Sequence, residues 1–141
     1  MSAISHRFFL SSDTFWKPEK SEPREWRLEK DLAYTTEWGT LYIRRGTTTD
    51  LASIPKLFRS FFDPAGPYAV PAIFHDTLYR GHIINPRTGE EFTKTEADLV
   101  FLEIMEHVGV DRDDRLVIYD MVKNHGGSAW KDKYDQYKRH R

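Results

Sequence analysis

The sequence predicts an α+β domain, a small N-terminal antiparallel sheet followed by three or four helices, and three observations carry that expectation. Across residues 25–45, aromatic and β-branched residues alternate with polar ones around a break at Glu37-Trp38-Gly39, the period-two pattern of half-buried strands. Beyond residue 68, apolar residues recur every three to four positions, as helices require. The strand-like part precedes the helix-like part instead of interleaving with it, which is α+β order.

Each element has its own local reason. Trp16-Lys17-Pro18-Glu19-Lys20-Ser21-Glu22-Pro23 is polar with two prolines and reads as a surface connection. Trp26 and Leu28, then Leu32 and Tyr34, then Thr40-Leu41-Tyr42-Ile43 give two or three antiparallel strands. The segment Arg45-Gly46-Thr47-Thr48-Thr49-Asp50 leads into Leu51-Ala52-Ser53-Ile54-Pro55. Thr and Asp favour local bonds to the backbone and Pro suits a first helical turn, so a short helix is expected after Ile54, through Leu57, Phe58, Phe61 and Phe62. Asp63-Pro64-Ala65-Gly66-Pro67 is a loop. A second helix, 68 to about 79, buries Val70, Ile73, Phe74 and Leu78. After a loop over 81–91, Thr95-Glu96-Ala97-Asp98 fits a capping box. Ala97, Val100, Phe101, Ile104, Met105 and Val108 then form a stripe ended by Gly109. Asp111 with Asp114 offers a cap for a last helix through Leu116, Tyr119 and Val122, stopped by Gly126-Gly127.

Bulk composition narrows the classes. A chain of 141 residues fits one domain, 1–141, and buries roughly two thirds of its unfolded surface. With 14% aromatic residues, the core needs no covalent staple. The absence of Cys excludes disulfides, thiolate metal sites and a Cys nucleophile, so any metal is held by oxygen or imidazole. No window approaches the roughly 18 apolar residues of a membrane span, and the first 25 residues lack a long apolar run. The expectation is a soluble protein of a reducing compartment without a secretion signal. A formal net charge of -1 gives no global field for nucleic acid, and no specific nucleic-acid binding is expected. Residues 131–141 form a basic, tyrosine-containing tail, read as a mobile, solvated chain end, with phosphate contact the alternative.

The run His75-Asp76-Thr77-Leu78-Tyr79 concentrates the chemistry. On a helix His75 and Tyr79 share a face, while Asp76 is turned about 100° away. A neutral His needs a partner on its second nitrogen before it can act as a base, and a carboxylate is the usual one. Asp98 is the candidate, in the first turn of the next long helix, which an antiparallel helix pair can bring alongside. Asp76 is then left for a hard cation such as Ca²⁺, with carbonyls from the 63–68 loop.

Simpler roles stay open for each residue. His75 with Asp76 reads equally as a hydrogen-bonded structural pair, Asp98 as a capping carboxylate, and Tyr79 as a core ring with its hydroxyl at the surface. Asp50 and Ser53 are further site candidates, or turn and cap residues before the first helix. His125 is assigned to capping the last helix, and His82 and His107 to the surface. A metal phosphohydrolase would need an upstream helical His, and the only upstream one is His6.

Four ordered motifs, Thr49-Asp50-Leu51-Ala52-Ser53-Ile54-Pro55, Pro64-Ala65-Gly66-Pro67-Tyr68, His75-Asp76-Thr77-Leu78-Tyr79 and Glu96-Ala97-Asp98-Leu99-Val100-Phe101, resemble DUF1353. This is a family of small proteins of tailed phages and prophages, and the likeness runs from about residue 26 to 130. It implies a phage setting, in the cytoplasm of an infected bacterium or in the virion tail. The His-Asp-x-x-Tyr and Ala-Asp-x-x-Phe pattern also looks like the core of phospholipase A2, especially the cysteine-free form of parvoviruses. That likeness implies His75 as the base that activates water, Asp76 as a Ca²⁺ ligand, Asp98 as the group orienting His75, and Tyr79 in the hydrogen-bond network. The expectation is a metal-assisted hydrolase of a lipid ester or another cell-envelope bond. The alternatives are a virion or tail-assembly component that contacts other phage structural proteins through a fold held by a His-Asp network, or a small protein that binds a host factor.

Overall fold

The computed structural model describes residues 10–11, 26–49, 68–81, 83–127 and 129–130. Two small antiparallel sheets come first: β1 (Leu10–Ser11), β2 (Trp26–Leu28) and β5 (Thr48–Thr49) in the order β1-β2-β5, and the hairpin β3 (Leu32–Thr36) with β4 (Gly39–Ile43). Three helices follow among the described residues, α1 (Ala69–Tyr79), α2 (Lys94–His107) and α3 (Arg112–His125). The α+β expectation is met in order and in kind. Asp50, Ser53, the helix expected after Ile54, most of the 63–68 loop, His6, His82 and the 131–141 tail lie outside the described residues.

The hairpin follows its alternation. Leu32, Tyr34, Leu41 and Ile43 point into the core, while Tyr42 is exposed. Pairing of Thr36 with Gly39 leaves the two-residue turn Glu37-Trp38, closed by Trp38 N–H donating to Thr36 Oγ1 at 3.1 Å. Gly39 has φ +122°, and a Cβ there would meet the Pro86 ring at 3.1 Å, so both backbone and space call for glycine.

Helix α1 is buried along its whole length, all eleven residues of Ala-Val-Pro-Ala-Ile-Phe-His-Asp-Thr-Leu-Tyr. A helix buried on every side belongs in the interior, and this one, mostly apolar but carrying His75, Asp76 and Thr77, packs against α2 and β5. Pro71 is tolerated because its position in the first turn has no intrahelical N–H bond to lose. Any polar residue on α1 must find a partner inside the protein, and that requirement builds the site.

The start of α2 differs from the sequence expectation. Its N-cap is Thr93, extended at φ -76° and ψ 164°, whose Oγ1 accepts from Glu96 N–H while Glu96 Oε1 accepts from Thr93 N–H. The box expected over Thr95-Glu96-Ala97-Asp98 is corrected: the cap lies two residues earlier, Thr95 is within the first turn, and Glu96 in place of Asp98 is the reciprocal carboxylate. Asp98 is thereby beyond the capping positions, so capping does not account for it. The helix ends at Gly109, φ +89°, where Val110 N–H donates to Met105 O and Gly109 N–H to Glu106 O. This is the Schellman pattern, which favours a left-handed glycine.

In α3 the inward positions are Ile118 and Val122, with Tyr119 partly buried, whereas Leu116 is exposed. The expected stripe through Leu116 is corrected to the i, i+4 pair. Asp111 is the N-cap as expected but makes no side-chain capping bond.

Candidate functional site: a buried His-Asp-Tyr-Lys network

Helices α1 and α2 lie against each other and place the polar residues of one opposite those of the other. His75 Nε2 and Asp98 Oδ1 are 2.8 Å apart, with side-chain exposures of 0% and 2%. One turn on, Tyr79 Oη donates to the same Oδ1 at 2.6 Å. The second carboxylate oxygen, Oδ2, accepts from Lys94 Nζ at 2.8 Å. The imidazole is walled by aromatic rings, Tyr79 at 4.2 Å and Phe101 at 4.6 Å between centroids, and Trp130 meets the Tyr79 ring edge-on at 5.2 Å. Close behind Tyr79 runs the end of α3, where a Cβ on Gly126 would lie 2.7 Å from Tyr79 Oη.

The electrostatics fix the proton positions. Burial is the largest influence on His75 and holds its affinity for a proton below the ordinary histidine value, outweighing the opposing pull of Asp98 and Asp76. For Asp98, burial alone would raise the carboxyl. The hydrogen bonds from His75, Lys94 and Tyr79 together outweigh it and hold Asp98 below its usual range. Tyr79 is pushed far up, first by burial and then by its bond to Asp98, and stays a phenol. An ionised carboxylate can only accept. Nε2 of a neutral imidazole therefore donates to Asp98, which leaves Nδ1 as its acceptor nitrogen.

Asp76 points away from this network, toward β5. Its Oδ2 accepts from Thr49 Oγ1 and lies 3.2 Å from Arg80 Nε, and the Arg80 guanidinium also reaches Thr48 O at 3.4 Å. A guanidinium neutralises a carboxylate but cannot ligate a cation. Among the described residues no group of three or more His, Asp or Glu could hold a metal. Arg80 thus neutralises Asp76 on the β5 side, and the loop carbonyls expected to complete a Ca²⁺ site with it fall at 63–67, outside the described residues.

Of the residues singled out in the sequence, His75, Asp98 and Tyr79 converge, and Asp76 is engaged separately. Thr49, Arg80 and Lys94 were missed. Two of them carried a legible signal, since Arg80 is four residues after Asp76 and Lys94 four before Asp98, the spacing of helical ion pairs. Thr49 reaches Asp76 across 27 residues and left no local trace. His107 is exposed, as expected, but has an acidic neighbour one turn earlier, Glu103 at 3.9 Å, and stacks on Tyr34. His125 lies in the last turn of α3.

No helix among the described residues is long and apolar enough to cross a membrane. No curated protein and no solved structure matches the chain. A family model described as a protein of unknown function matches residues 26–122, a span holding both sheets' longer strands, the buried network and nearly all of α3. The chain belongs to that family, DUF1353.

Proposed function

We propose that this protein is a phage-encoded hydrolase in which His75 is the general base, oriented by Asp98, and that its substrate is an ester of the lipid or cell-envelope class. The single observation supporting this is the 2.8 Å bond between His75 Nε2 and an Asp98 carboxylate that Tyr79 also holds. In this reading Nδ1 takes a proton from water as the water oxygen bonds to the ester carbonyl carbon. The carbonyl–alkoxy bond then breaks, and the imidazolium returns its proton to the leaving alkoxide. Ester and water become acid and alcohol, and His75 ends as it began. Since His75 is fully buried, substrate reaches it by local opening of the surrounding packing. The infected-cell cytoplasm or the virion tail is the setting that the phage resemblance suggests.

Burial favours a second reading. His75, Asp98 and Tyr79 are all within the core, so the network also suits a non-enzymatic tail or virion component whose two helices it locks together. Turnover of fluorogenic phospholipid vesicles separates the two. The hydrolase reading expects activity in wild type that is lost in His75→Ala, and EDTA against added Ca²⁺ tests whether a cation on Asp76 assists it. Equal rates in wild type and His75→Ala would exclude it. Loss of melting temperature in His75→Ala, with no turnover in either protein, would favour the assembly role.

A further inference from the structure

Lys94 occupies an unusual place. Its ammonium has three N–H donors, and three acceptors surround it: Asp98 Oδ2 at 2.8 Å, Val122 O at 3.2 Å and Lys123 O at 3.1 Å. The last two are carbonyls from the final turn of α3, the end of a helix that carries partial negative charge and suits a cation. One side chain from the first turn of α2 therefore joins the Asp98 carboxylate to the end of a third helix.

We infer that Lys94 is a positioning residue for the His75–Asp98 dyad, fixing the Asp98 carboxylate against the last turn of α3 so that Oδ1 stays aimed at His75. Asp98 Oδ1 serves two neutral donors, His75 and Tyr79, while Oδ2 serves the ammonium. Rotation of the carboxylate would break all three bonds together, so the division of oxygens locks its plane. The charge balance points the same way. A buried carboxylate needs a cation, and because Lys94 supplies it, His75 need not become an imidazolium to do so. Trp130 on the Tyr79 ring and Gly126 against Tyr79 Oη bring two more contacts from the chain after Val122 to the same place. The end of α3 is thus the wall against which the dyad is set.

The catalytic consequence rests on the hydrolase reading, whereas the positioning itself can be read without substrate. The experiment uses the full chain with Lys94→Met, Lys94→Gln and Lys94→Arg. Gln keeps a donor for the α3 carbonyls and serves where Met does not fold. The first readout is the NMR resonance of the proton on His75 Nε2, which reports its hydrogen bond to Asp98. The second is the split between kcat and KM on the phospholipid probe. The neutral variants are expected to shift or broaden that resonance and to lower kcat roughly tenfold or more with KM little changed, and Lys94→Arg to recover both in large part. A folded neutral variant with the wild-type resonance overturns the inference. Wild-type turnover in His75→Ala alongside a shifted resonance in Lys94→Gln would overturn the hydrolase reading and leave Lys94 as the positioning residue of the pair.

Discussion

Replacing Asp98 by Asn probes the network at its centre while preserving side-chain shape. The amide keeps one carbonyl oxygen, which can still accept from His75 Nε2–H and Tyr79 Oη–H. Its NH₂ then faces Lys94 Nζ, donor against donor, where the native Oδ2 lies 2.8 Å from that nitrogen. One charge-assisted bond is lost outright, about 1.5 to 3 kcal/mol, and two others fall from ionic to neutral acceptors. Lys94 is 24% exposed, so it can turn partly toward water. That limits the total to about 3 kcal/mol, the lower end of the cost of breaking a buried pair. For a chain of this length that is a fall of roughly 10 °C in melting temperature. Asp98→Ala should cost more, since the buried His75 N–H and Tyr79 O–H then lose their acceptor. Thermal unfolding followed by circular dichroism measures both, with exposed Asp120→Asn as the control. If Asp98→Asn melts within about 1 °C of wild type, the carboxylate is not an organising group and the reasoning fails. Under the hydrolase reading the same variant also loses roughly a hundredfold or more in kcat.

Thr93→Ala should destabilise by about 1 kcal/mol, the worth of an N-cap, while Thr95→Ala changes stability little; chemical denaturation of both variants tests where the box sits. Gly126→Ala sets a methyl 2.7 Å from Tyr79 Oη and 2.5 Å from Val122 O and should cost about 1 to 3 kcal/mol. Because Tyr79→Phe removes the nearer part of the Tyr79 clash, the double variant should be more stable than the sum of the singles, a non-additivity that a double-mutant cycle resolves. Stability should also fall with acid. His75 and Asp98 both bind protons less readily folded than unfolded, so the unfolded chain takes up more protons as pH drops. The His75 contribution is complete above its ordinary value of 6.5 and is lost progressively below it. The Asp98 contribution persists to about its ordinary 3.8 and is lost only as pH falls further, through its depressed folded value. Melting temperature against pH checks this, and His75→Gln should remove the upper part of the slope.

Sheets, helices and their order were legible because they follow from periodicity, which is local. The His75–Asp98 encounter is legible for a different reason: an imidazole needs a partner on its second nitrogen, and Asp98 lies near the start of the next long helix, where an antiparallel helix pair brings it alongside. What the sequence obscured was the local competition between roles. Thr95 and Thr93 are both plausible caps, and choosing the nearer one gave Asp98 a capping duty that the two-residue shift removes. Asp76 beside His75 suggests a cation ligand, and the partners the fold shows for it, Arg80 one turn on and the distant Thr49 hydroxyl, include one that no local pattern announces. Leu116, Tyr119 and Val122 are spaced three apart, a row that drifts around a helix of 3.6 residues per turn, whereas Ile118 and Val122, four apart, share the face that packs.

The burial of the dyad ties its chemistry to its stability. An imidazole with no exposed surface can serve as a base only in the fraction of molecules that open. An opening that costs about 2.7 kcal/mol leaves roughly one molecule in a hundred competent. In an enzyme of this kind, loosening the packing around His75 would raise turnover while it lowers the melting temperature, until the dyad itself comes apart. In a purely structural network, loosening brings only loss. The same four side chains therefore answer differently under the two functions, and the difference lies in the sign of the relation between stability and activity, with the His75–Asp98 distance common to both.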